Sequence, residues 1–143
     1  MNAYIDTSAL AKCYLREERS FDVLAWADGV SPLAIGGIAL VEIRCLLARR
    51  RRAGQIDATL EKRALAEFDL DLAAGNWIVC PDWSGLYTTA RQLIELLPEL
   101  PLRSLDAVHL AYARHWGCRV FATADRVQAE AAQTLGMPTL SFF

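Results

Sequence analysis

The chain has 143 residues, 54% of them hydrophobic and 22% charged, with a formal net charge of -2. That length suits one domain, residues 1–143, with a core of useful size, and the composition excludes a disordered chain. The slightly acidic balance excludes a protein that holds nucleic acid by bulk charge, but not one that grips it locally.

The predicted elements alternate. Ala3 to Ile5 reads as a short strand, and Ser8 to Leu15 as a helix with Leu10, Cys13 and Tyr14 on one face. Ser20 to Ala27 is a second helix, ended near Gly29, and Leu33 to Ile35 is a strand after Pro32. Ile38 to Arg52 is a long helix closed by Gly54. Asp57 to Ala73 follows, with Leu60, Ala64, Phe68 and Leu72 in step and Gly75 at its end. Trp77 to Cys80 is a strand, Ser84 to Leu97 a helix stopped by Pro98, and Ser104 to Trp116 a helix ended by Gly117. Arg119 to Ala122, Asp125 to Leu135 and Thr139 to Phe142 complete the series as strand, helix and strand. Strands alternating with helices imply an α/β fold with a mostly parallel sheet covered on both faces. In such sheets a ligand sits outside the carboxyl ends of the strands.

That rule directs attention to acids just after strands. Asp6 follows the first strand and Asp125 the fourth, so both belong at one sheet edge. Glu42, early in a helix that closely follows a strand, returns to the same edge. Asp106 opens a helix after a Pro-bounded loop, and spacing alone does not place it. Each acid also has a local reading. Asp6 caps the next helix or favours its dipole. Asp125 with Gln128 has the spacing of a capping box. Asp106 in a first turn suits the helix dipole. Glu42, with Leu40, Val41, Ile43, Leu46 and Leu47 around it, is expected at a buried helix start, where a lone carboxylate needs an arginine or a cation. Taken together, carboxylates crowded at one edge repel each other and raise their own pKa values. A hard divalent cation, Mg²⁺ or Mn²⁺, relieves that, attracts phosphate and activates water.

The segments "YIDTSAL", "ALVEIRCLLAR", "LRSLDAVHLAYA" and "FATADRVQAEAAQTLGM" occur in this order within 143 residues. In that order and spacing they resemble the PIN-domain nucleases, and in particular the VapC-type toxin ribonucleases of type II toxin–antitoxin pairs. The resemblance spans essentially the whole chain. It implies a three-layer α/β/α sandwich with a parallel five-stranded sheet, and an acidic quartet at Asp6, Glu42, Asp106 and Asp125. It also brings Asp106 into the site. Asp6 and Asp106 would hold Mg²⁺ or Mn²⁺, with Asp125 direct or through water. Glu42 would orient or deprotonate the attacking water. The family's hydroxyl near the metal falls on Ser8 or Thr7, and Thr123 precedes the last acid. The implied reaction is endoribonucleolytic hydrolysis of RNA (tRNA, rRNA or mRNA) that leaves a 5′-phosphate. The implied partners are a cognate antitoxin peptide in a groove near the site and a second toxin copy in a homodimer.

Other residues carry weaker signals. Arg49 to Arg52 cover most of a helix circumference and cannot all face one partner. They form a dipole-favourable helix end, or one or two of them, Arg49 and Arg52 first, contact RNA phosphate. Arg103 and Arg126, beside two of the acids, are structural ion pairs or phosphate clamps. His109 is expected to be packed and hydrogen-bonded, and the four tryptophans to sit in the core or its rim. Cys13, Cys45, Cys80 and Cys118 read as small buried hydrophobes in a reducing compartment. No apolar run reaches the roughly 20 residues of a membrane span, and no signal peptide is visible, so a cytoplasmic protein without membrane contact is expected. A phosphotransfer domain would want a lysine after a later strand, and none follows Lys62. The remaining alternative is a non-catalytic PIN-like domain that binds RNA or protein.

Overall fold

The computed structural model of the protein describes residues 2–143; Met1 lies outside them. Five strands, β1 (Ala3–Ile5), β2 (Leu33–Gly36), β3 (Trp77–Cys80), β4 (Val120–Thr123) and β5 (Thr139–Ser141), form one sheet in the order β3-β2-β1-β4-β5. All four pairings are parallel. The helices are α1 (Thr7–Leu10), continued by a 3-10 turn (Ala11–Cys13), α2 (Ser20–Val30), α3 (Ile38–Arg52), α4 (Ala58–Ala74), α5 (Leu86–Leu96), α6 (Ser104–His115) and α7 (Arg126–Thr134).

Parallel strands covered on both faces should be apolar without alternation. β1 and β2 are buried at every position. Their side chains alternate between two cores. Ala3, Ile5, Leu33, Ile35, Trp77 and Ala122 join α1 to α4 on one face. Tyr4, Ala34, Cys80 and Phe121 join α5 to α7 on the other. The result is the α/β/α sandwich expected.

The strand order makes β1 the switch point. From it the chain winds outward to β2 and β3 on one side, then to β4 and β5 on the other. A crevice opens outside the carboxyl ends of strands at such a point. Asp6 is the residue that leaves β1 there, and its backbone N–H extends the ladder to the Ala122 carbonyl at 3.0 Å.

Some element ends differ from the sequence expectation. The first helix gives way to a 3-10 turn after Leu10, and α2 runs through Gly29 to Val30. Glycine inside a helix is a modest cost, and Ser31 still donates its N–H to the Ala27 carbonyl at 2.9 Å. The start of α3 is less buried than its apolar composition suggests. Ala39, Ile43 and Leu47, four residues apart, take the core, while Leu40 and Val41 point outward, Val41 being 66% exposed. The cysteines also split: Cys80 is buried, Cys13 and Cys118 are half-buried, and Cys45 is exposed. Among the described residues no helix is long and apolar enough to cross a membrane.

Candidate active site

Asp6 sits at the end of β1, only 3% exposed. Its Oδ1 accepts from the Ala9 N–H at 3.1 Å and from the Ser8 hydroxyl at 2.6 Å, and its Oδ2 accepts from the Thr123 hydroxyl at 2.5 Å. It therefore caps α1, as a local reading expects, and also ties β1 to β4. Burial pushes its pKa up; His109, the two hydroxyls and the Ala9 amide pull the other way without cancelling it. Ser8 continues the network, accepting the Ala124 N–H at 2.9 Å.

Glu42 lies on the second turn of α3 and is held differently. Thr7 donates its hydroxyl to Oε1 at 2.7 Å, and His109 Nε2 lies 2.5 Å from the same oxygen. Behind it, His109 Nδ1 is 2.6 Å from the Tyr4 hydroxyl, which accepts the Gly36 N–H at 3.0 Å. Burial pushes Glu42 up, but the hydrogen bonds from His109 and the Thr7 hydroxyl, with Arg49 nearby, outweigh it and hold the carboxyl below its ordinary range. No arginine forms an ion pair with it among the described residues; a histidine and a threonine satisfy it instead.

Asp106 and Asp125 stand at the starts of α6 and α7. Asp106 Oδ2 accepts the Arg103 N–H at 3.2 Å, with the Arg103 guanidinium 3.8 Å away. Asp125 Oδ1 accepts the Gln128 N–H at 2.8 Å. The reciprocal half of a capping box is not made: the Asp125 N–H goes to Thr123 at 3.0 Å, and the buried Gln128 amide reaches across to the Asp106 carbonyl at 3.1 Å. That bond fixes α6 beside α7. Burial pushes the Asp106 carboxyl up, and the negative charge of Asp125 adds to the rise.

All four carboxylates line one cavity of about 410 Å³, with Thr7, Ser8 and His109 in its wall. Asp106 joins them because the start of α6 borders the cavity, with Arg103, Ser104 and Leu105 lining it too. Thr123 lies behind Asp6, fully buried. Among the described residues no three His, Cys, Asp or Glu side chains already converge as a ligand cage. The donor set nevertheless fits a hard divalent cation. It is all oxygen, it crowds negative charge, and it leaves room for the waters that Mg²⁺ retains.

The arginines separate. Arg49 and Arg103 line the cavity. Arg52 does not, and Arg126 stacks over the Phe143 ring, 4.2 Å from its centroid. Arg50 and Arg51 pair with Glu17 and Glu61 at 3.1 and 2.9 Å. His109 is packed and hydrogen-bonded, as the sequence led us to expect, but sequence reasoning did not connect Tyr4 or Gly36 to it. The one available signal was the spacing of His109 a turn after Asp106.

Four carboxylates thus meet in one cavity outside the carboxyl ends of a parallel sheet, and the comparisons give the family. The sequence pattern of the PIN domain matches residues 3–133, so the chain belongs to the PIN-domain family. It is similar to Ribonuclease VapC46 of Mycobacterium tuberculosis, 32% identical over 152 residues that cover 96% of this chain and 95% of that protein. Among solved structures it resembles VapC20 of M. tuberculosis, a sarcin-ricin loop cleaving toxin, with a TM-score of 0.62 and 20% identity over 91% of this chain and 95% of that one. It also resembles VapBC2 from Rickettsia felis bound to a DNA fragment from their promoter, with a TM-score of 0.69 and 12% identity over the whole of both chains. At these identities the two structures speak for the fold.

Proposed function

We propose that this chain is a metal-dependent endoribonuclease, the toxin of a toxin–antitoxin pair, acting in the cytoplasm as a single domain over residues 1–143. The observation that carries the reading is that Asp6, Glu42, Asp106 and Asp125, from four separate elements, line one cavity at the switch point of a parallel sheet. The likeness to Ribonuclease VapC46 supports the same activity.

Asp6, Asp106 and Asp125 hold the cation, Mg²⁺ or Mn²⁺. When bound, it supplies positive charge for the scissile phosphate and lowers the pKa of water. Glu42, ionised at neutral pH, accepts a proton from the attacking water. The water oxygen bonds to phosphorus, the P–O3′ bond breaks, the departing O3′ takes a proton from solvent, and the products are a 5′-phosphate and a 3′-hydroxyl. Ser8 and Thr123 aim Asp6, and Thr7 aims Glu42. Arg49 and Arg103, on the cavity wall, are the first phosphate contacts on RNA. Arg52 and Arg126 lie outside that wall, Arg126 over the Phe143 ring. Exposed apolar side chains on α2 and α3, among them Phe21, Leu24, Leu40 and Val41, suit contact with an antitoxin and with a second toxin copy.

The test is cleavage of a panel of tRNAs and rRNA fragments by the purified protein with Mn²⁺, with Mg²⁺ and with EDTA, beside Asp106→Asn. Cutting at a few sites, lost with EDTA and in the variant, is expected. A folded protein that neither cuts nor binds Mn²⁺ would instead be a non-catalytic binding domain.

A further inference from the structure

Beside the four acids, His109 is held at both ring nitrogens: Nδ1 meets the Tyr4 hydroxyl, and Nε2 meets Glu42 with the Thr7 hydroxyl 3.3 Å away. It is 3% exposed and Tyr4 behind it is fully buried, so the side chain that meets Glu42 is itself backed by a buried one. We infer that His109 is a positioning residue that donates through Nε2 to Glu42, held in that role by Tyr4, so that Glu42 Oε1 is tied down and Oε2 faces the cavity. This rests on the proposed nuclease reading and deepens it.

The argument is one of donors and acceptors. An ionised carboxylate only accepts, so the 2.5 Å contact requires the proton on Nε2. The Tyr4 hydroxyl accepts the Gly36 N–H and has one hydrogen of its own, which it gives to Nδ1. Every group in the chain Gly36–Tyr4–His109–Glu42 is then satisfied in one direction. The opposite arrangement, with the ring proton on Nδ1, would set a nitrogen lone pair against the Glu42 oxygen. A hydrogen-bonded partner behind an imidazole commonly selects its tautomer in this way.

The geometry also explains Gly36. A Cβ at that position would lie 2.4 Å from Tyr112 Cδ2 and 2.7 Å from the Tyr4 hydroxyl oxygen, so only glycine lets the hydroxyl reach the backbone amide. The Tyr4 ring is further fixed by stacking on Phe121, with centroids 5.6 Å apart. Thr7 supplies the second bond to Oε1 from α1. Both known bonds to Glu42 thus fall on one oxygen, and the other is left for the water that the carboxylate acts on.

The experiment joins kinetics to spectroscopy. Nitrogen-15 NMR of the histidine rings in the wild-type protein should show His109 protonated at Nε2, and Tyr4→Phe should weaken or scramble that signature. RNA cleavage by His109→Ala should lose about 10- to 100-fold in kcat with KM little changed. His109→Gln, whose amide can donate from a similar position, should recover part of the loss, with melting temperatures reported for each variant. A wild-type ring without a proton on Nε2, or His109→Ala cleaving like wild type while Glu42→Gln is inactive, overturns the inference and leaves the nuclease reading standing. Glu42→Gln cleaving like wild type also overturns the inference, because Glu42 would then have no role for His109 to support; a folded wild-type protein that neither cuts RNA nor binds Mn²⁺ overturns the nuclease reading itself.

Discussion

Asp6 and Glu42 enter the cavity from elements on one side of it, already aimed: each receives two side-chain hydrogen bonds or more, from Ser8 and Thr123 in one case and from Thr7 and His109 in the other. Asp106 and Asp125 enter from the starts of α6 and α7, where their bonds are backbone caps and a single distant guanidinium. The first pair is locked by the folded core. The second is held near its place by helix ends and leaves part of its charge uncompensated. The difference teaches that the cavity is built in two ways: side-chain hydrogen bonds fix Asp6 and Glu42, while helix-start amides hold Asp106 and Asp125. It matches the opposite pKa directions within the wired pair, where burial raises Asp6 while His109 and Thr7 carry Glu42 below its usual value.

The largest effect should come from substituting across that divide. Glu42→Gln and Asp106→Asn should each cut RNA cleavage by about 10²- to 10⁴-fold, measured under single turnover. Only Asp106→Asn should also lose Mn²⁺ binding, which would separate a proton acceptor from a cation ligand. If both variants lost the metal equally, the division drawn between the two sides would fail.

Cation binding should next appear in stability. At a hundredfold excess over its Kd, Mn²⁺ should stabilise the folded protein by about 2.7 kcal/mol, read as a rise in Tm that EDTA reverses. Asp125→Asn should reduce that rise, whereas Thr7→Val should keep it. Gly36→Ala should cost about 1–3 kcal/mol in urea unfolding, because the new methyl group overlaps Tyr112 and Tyr4 in a packed interior.

A pH series without metal sharpens the contrast. The raised carboxyls of Asp6 and Asp106 bind protons more readily in the folded than the unfolded state, so their share of stability grows as pH falls from neutral through their folded pKa values. The lowered carboxyl of Glu42 works oppositely, and its share is lost as pH falls through its folded value, below the ordinary carboxylate range. In EDTA the melting temperature should therefore rise as pH drops from neutral, then turn over. Asp6→Asn should flatten the rise, and Glu42→Gln should soften the later fall.

The smallest effect concerns the rim. Arg49→Ala should weaken RNA binding and reduce its salt slope by about one, while Arg52→Ala, off the cavity wall, should change both less. Equal losses in the two would move the RNA path away from the cavity.

Much of this protein was legible in the chain before any fold was drawn. Strand and helix periodicity located β1 to β5 and most helices within a few residues, because apolar runs buried on both sheet faces and glycine stops are local signals. The four acids could be picked out, three of them by position after strands. The outward turn of Leu40 and Val41 could not, since a helix with apolar residues all round does not declare which stripe meets the core.

By itself, then, the sequence determined an alternating α/β chain with carboxylates at strand ends and a family likeness that names their chemistry. Tertiary structure decided which residues serve those carboxylates. Tyr4, Gly36 and His109 are far apart in the chain and apolar or ordinary in local context, and they meet only because parallel pairing sets Tyr4 of β1 opposite Ala34 of β2, from where its hydroxyl reaches the Gly36 amide and the His109 ring of α6. Hydrogen bonds between residues 32 and 105 positions apart have no local pattern to announce them; they exist only once packing has brought donor and acceptor within reach.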